Sequence, residues 1–65
     1  MNEMKLLEYL SSKIHEELEV IRESLAAGSA KDYAEYQHMC GKYRGLLTAQ
    51  SNLTDLKERI EKDDE

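Results

Sequence analysis

The sequence predicts an all-α fold, an antiparallel two-helix hairpin with coiled-coil-like packing. Two long stretches each repeat apolar residues at alternating three- and four-residue spacing, the period of one helix face. Gly28 stands between them. When the chain is folded back at that glycine, the stripes pair layer by layer with residue numbers that sum to 57: Ile21 with Tyr36, Leu18 with Met39, Ile14 with Tyr43, Ser11 with Leu46, Leu7 with Gln50 and Met4 with Leu53. The chain has no Pro, which costs about 3 kcal/mol inside a helix, so neither stretch is interrupted.

Helix 1 is expected over about 3–27, opening at Asn2 as N-cap. Met4, Ser11, Leu18 and Leu25 take heptad position a, and Leu7, Ile14 and Ile21 take d. Ser11 is the polar entry, with Leu10 beside it to cover the gap. The opposite face carries Glu3, Glu8, Glu16, Glu19 and Glu23 among Lys5, Lys13 and Arg22, and reads as solvated.

Gly28 suits the position just past a helix end, where a left-handed backbone is cheap only without a Cβ. Ser29 is the expected N-cap of helix 2, with Asp32 three residues on as a shortened capping box. This makes a tight turn at 28–29.

Helix 2 is expected over about 30–61, with Tyr36, Tyr43, Gln50 and Lys57 at a and Met39, Leu46, Leu53 and Ile60 at d. It outlasts helix 1 by roughly 10 Å at about 1.5 Å per residue, leaving Leu56 and Ile60 as an overhang. Residues 62–65 are acidic at a helix C-terminus, where negative charge opposes the macrodipole, and are expected to fray.

One hairpin domain spans 1–65. Two helices sharing one seam bury little, and cores of this size rarely supply more than roughly 3–5 kcal/mol. Completion by oligomerisation or by docking on a larger protein assembly is therefore expected. The net charge of −5 argues against nucleic acid or an anionic membrane as partner, because both draw on Lys and Arg. The N-terminal residues carry no signal-peptide core. No apolar run approaches the roughly 20 residues of a transmembrane helix. Cys40, the single cysteine, cannot pair within the chain, which is compatible with a reducing compartment. The expected location is the cytoplasm.

No constellation of residues amounts to a catalytic signature. Glu35 and His38 form a Glu-x-x-His unit of the kind di-iron bundles use, but helix 1 aims no carboxylate inward opposite them. His15 and Glu19 read as solvated, and His38 and Cys40 diverge on a helix. Cys40 reads as a small hydrophobe, and Tyr33, Tyr36 and Tyr43 as packing rings with hydroxyls at the rim. The expectation is a protein that is not an enzyme, with no cofactor, no metal and no small-molecule substrate.

The residues expected to act are those of an interaction surface. Gly41 and Gly45 each cost helix 2 roughly 1 kcal/mol against Ala. With Ala34, Thr48 and Asn52 they line one strip turned away from the seam. Such a strip admits a closely packed neighbouring chain; the alternative is a bend at Gly41 or Gly45. Leu56 and Ile60 extend the surface beyond helix 1. Lys42 and Arg44, the only formal charges between Tyr36 and Thr54, are candidates for contacts with helix-1 glutamates of neighbouring copies.

The stretch Asp32-Tyr33-Ala34-Glu35-Tyr36, then His38-Met39-Cys40-Gly41, Arg44-Gly45-Leu46-Leu47 and Asp55-Leu56, resembles short helical proteins encoded among the structural and packaging genes of tailed bacteriophages. The resemblance covers roughly residues 24–60. It implies a virion or assembly component held in a larger oligomeric complex, at the portal or head–tail region, after synthesis in the host cytoplasm. The chain is similar to Rop-like proteins in architecture alone. That comparison implies a cytoplasmic regulatory adaptor, a dimeric four-helix bundle binding RNA or a host protein.

Overall fold

Asn2 opens the first helix as its type predicts: its side-chain oxygen accepts a hydrogen bond from the Lys5 amide at 2.9 Å. The computed structural model describes residues 2–63, and there the chain forms α1 (Glu3–Ala26) and α2 (Tyr33–Asp63), packed against each other as a hairpin. No strand occurs among the described residues.

α1 ends in a full Schellman arrangement. Gly28 sits at φ +69°, the Gly28 amide donates to Leu25 O at 3.1 Å, and the Ser29 amide donates to Ser24 O at 3.1 Å. The Ser29 hydroxyl also donates to Ser24 O, at 2.7 Å. Ser29 therefore closes α1 and does not open α2, which corrects the turn expected at 28–29. The cap of α2 is Asp32, whose carboxylate accepts from the Glu35 amide at 2.8 Å. The connection is residues 27–32, and α2 starts three residues later than expected. The Ser29 amide and hydroxyl both donate to Ser24 O at the end of α1, and Asp32 accepts the capping bond of α2.

The longer connection goes with a different register. The Arg22 guanidinium reaches the Tyr43 hydroxyl at 3.0 Å, and Val20 and Ile21 share a groove with Lys42, Gly45 and Leu46. Facing positions thus sum to about 64, one heptad away from 57. Leu25 comes level with Met39, Ile21 with Tyr43, Leu18 with Leu46, Ile14 with Gln50, Ser11 with Leu53, Leu7 with Lys57 and Met4 with Ile60. A slide of seven residues leaves every a layer opposite a d layer, so heptad pattern alone cannot choose between the two. The observed register adds a seventh layer, Leu25 with Met39, and exchanges Leu53 for Ile60 opposite Met4. Its cost is Tyr36, which stands 46% exposed near the turn.

This removes the overhang expected at Leu56 and Ile60. Ile60 and Lys57 are half-buried, level with the first turns of α1. The part of α2 that runs past α1 lies at the turn end instead, where Tyr33 and Tyr36 stack with ring centroids 6.3 Å apart. α2 is continuous through Gly41 and Gly45, with no break at either. It also continues through Asp63, so Lys62 and Asp63 are helical, while Asp64 and Glu65 of the expected frayed end lie outside the described residues. Among the described residues only Ile14, Leu18 and Ile21 are buried, all in the middle of the α1 seam. Among the described residues no helix is long and apolar enough to cross a membrane.

Candidate interaction surface

Each helix carries a second stripe beside its seam. On α1 it is Leu6, Leu10, Lys13, Glu17 and Val20, spaced four, three, four and three residues apart. On α2 it is Lys42, Gly45, Ala49 and Leu56. The two stripes lie on the same side of the hairpin: Glu16, Glu17, Val20 and Ile21 line one wall of an open groove of about 620 Å³, and Lys42, Gly45 and Leu46 line the other. Ile21 and Leu46 are its seam residues, one from each helix, and its lining is largely apolar. Leu6, Leu10, Val20 and Leu56 are all exposed.

Charge frames this face. Glu16 and Glu17 stand on the α1 side and Lys42 on the α2 side. Glu16 bonds Lys13 at 3.5 Å along its own helix, whereas Glu17 and Lys42 have no ion-pair partner among the described residues. Across the hairpin, the opposite flank is tied by Arg22, which lies 3.0 Å from Glu19 and donates to the Tyr43 hydroxyl. That bond and the Glu19 carboxylate hold the guanidinium above its ordinary value. A shallower groove follows α2 on that flank, lined by Leu47, Gln50, Ser51, Thr54, Asp55 and Glu58.

The small-residue strip is solvent-facing throughout: Ala34, Gly41, Gly45, Thr48 and Asn52 are all exposed. A Cβ added at Gly41 or Gly45 meets no atom within 4 Å, so nothing inside the hairpin requires either glycine. Thr48 turns its hydroxyl back to Arg44 O at 3.1 Å. Gly45 belongs to both the strip and the groove; Leu56 joins the groove side, and Ile60 belongs to the seam. Arg44 makes no ion pair among the described residues. Leu6, Leu10 and Val20 were not expected in this surface. Their signal is present as a second heptad stripe, hidden because Lys13 and Glu17 interrupt it.

Glu35 is half-buried with its amide on Asp32, and His38 is exposed. Among the described residues no three His, Cys, Asp or Glu side chains converge as metal ligands would. Cys40, also half-buried, neighbours Tyr36 one turn back, and its sulfur holds the Tyr36 phenol above the ordinary tyrosine value. Comparison with protein families, with curated proteins and with solved structures finds no match.

Proposed function

We propose that this chain is a non-enzymatic interaction protein, a helical hairpin that packs as a structural or assembly component in a larger oligomeric complex. One observation carries the reading: among the described residues three seam side chains are buried while eight large hydrophobic side chains stand exposed. Isolated large apolar side chains on a surface are ordinary, but here four of the eight, Leu6, Leu10, Val20 and Leu56, share one face, and Val20 lines its groove. The resemblance of residues 24–60 to phage structural and packaging proteins supports a virion or assembly-particle setting, at the portal or head–tail region, with synthesis in the host cytoplasm. The acidic balance supports protein over nucleic acid as the partner.

Quantitative mass spectrometry of purified particles tests this. The expected result is the chain at a fixed stoichiometry to the major structural proteins after salt washing. A chain absent from particles, yet bound to a defined RNA or host protein, replaces this reading with that of a regulatory adaptor.

A further inference from the structure

We propose that the groove face is covered by a second copy of this chain, related by a two-fold axis parallel to the helices, so that α1 of each copy lies over α2 of the other and both turns sit at one end. The inference deepens the interaction reading by naming the partner and its geometry.

Three observations carry it. The first is level. With facing positions summing to about 64, Leu56 lies level with the space between Leu6 and Leu10, and Gly45 lies beside the level of Val20. An axis parallel to the helices preserves those levels. Leu6 and Leu10 of one copy then flank Leu56 of the other, and Val20 faces the open backbone of Gly45. Glu17 and Lys42, without ion-pair partners among the described residues of one chain, come within reach across the axis.

The second is charge. α1 carries six acidic against three basic side chains, and α2 carries five of each. Setting α1 on α2 of a second copy therefore avoids the repulsion of α1 on α1, which an axis perpendicular to the helices would impose. Like charges facing each other oppose wrong pairings more strongly than good pairs favour right ones.

The third is area. A compact monomer of this mass exposes about 4,200 Å², whereas the hairpin, 50 Å long and 17 by 14 Å across, exposes 5128 Å². That excess reflects the elongated shape, and one long face of 50 by 17 Å has an area of about 850 Å², close to the roughly 800 Å² that each partner contributes to a stable interface.

Sedimentation equilibrium of the isolated chain is expected to give twice its 7.5 kDa mass. Val20→Glu, at a position exposed in the single hairpin, is expected to weaken the dimer on the order of a hundredfold by burying a carboxylate, with helicity retained by circular dichroism. Glu17→Lys and Lys42→Glu are each expected to weaken it about tenfold. An equimolar mixture of those two variants restores it, because each heterodimer contact then pairs opposite charges. Spin labels at Lys31→Cys in a Cys40→Ser background report the axis. Turns at one end place the labels within two or three interhelical spacings of about 8–10 Å. Turns at opposite ends place them near the 50 Å length of the hairpin. A monomer at hundred-micromolar concentration, a dimer indifferent to Val20→Glu, or labels at opposite ends overturns the proposal. A monomer that still enters particles overturns only the self-pairing. A dimer found in no particle overturns the assembly reading and leaves the self-pairing standing.

Discussion

Arg22 donates a hydrogen bond to the Tyr43 hydroxyl at 3.0 Å, the only side-chain hydrogen bond among the described residues that joins the two helices. It marks the register, because the heptad pattern fits equally well one repeat away. A slide of seven residues moves one helix about 10 Å along the other. A disulfide spans only about 4.4–6.8 Å between Cα atoms. In a Cys40→Ser background, Ser11→Cys with Leu53→Cys is therefore expected to crosslink within the monomer on mild oxidation. Ser11→Cys with Leu46→Cys is expected not to. Non-reducing electrophoresis at nanomolar protein concentration reads both.

That ambiguity shows what was legible in the residues and what was not. The hairpin itself follows from the two stripes and Gly28, and Asn2 caps α1 as its type predicts. Register was not legible, since Ile21 meets a tyrosine in either alignment and a glutamine or lysine faces Leu7 in either. The turn offered two good caps, Ser29 and Asp32. The cap is Asp32, while Ser29 bonds back to Ser24, a contact that sequence spacing does not display. The groove face was obscured by its own charges, which make the stripe from Leu6 to Val20 look like solvated surface until α2 is placed beside it.

The glycines separate by backbone conformation. Gly28 at φ +69° holds the end of α1, and a Cβ there meets no atom within 4 Å, so its cost is conformational alone. Gly28→Ala is expected to destabilise the hairpin by about 1–2 kcal/mol. Gly41→Ala removes a helix-interior glycine in open space and is expected to stabilise α2 by up to about 1 kcal/mol. Thermal melts followed by circular dichroism should move in opposite directions for the two variants.

The seam depends on few side chains, so truncation there should be costly. Among the described residues Leu18, 3% exposed, is the most buried. Leu18→Ala is expected to cost about 2–3 kcal/mol, at the lower end for core leucines because a thin hairpin relaxes more readily. Leu47→Ala, on the exposed flank, should stay within about 0.5 kcal/mol. Urea unfolding with a common m-value compares them, and equal midpoints would contradict the placement of the core on Leu18.

Asp32 and Ser29 give a matched pair at the turn. Removing the Asp32 carboxylate leaves the Glu35 amide without its 2.8 Å acceptor at the start of α2. Asp32→Ala is expected to cost about 1 kcal/mol, and Asp32→Asn much less, since an amide oxygen caps nearly as well. Ser29→Ala loses only the hydroxyl bond to Ser24 O, while the backbone amide keeps its own bond to the same oxygen. Amide exchange at Glu35 should accelerate in the Asp32 variant and stay unchanged in the Ser29 variant.

Tyr36 supplies the pH-dependent case. Its phenol is raised, first by a hydrogen bond to the Cys40 sulfur and then by the charge on that sulfur. An acid whose pKa is raised by folding binds its proton more tightly in the folded state. Its contribution to stability is thus fully present below the unfolded tyrosine value and is lost as pH climbs through the higher folded one. Ultraviolet titration of the four tyrosines should show one phenol ionising above the ordinary range. Cys40→Ala removes the two largest causes and should lower that phenol, whereas Tyr36→Phe should delete the late transition altogether. A late transition that survives Cys40→Ala unchanged would place its origin elsewhere in the hairpin.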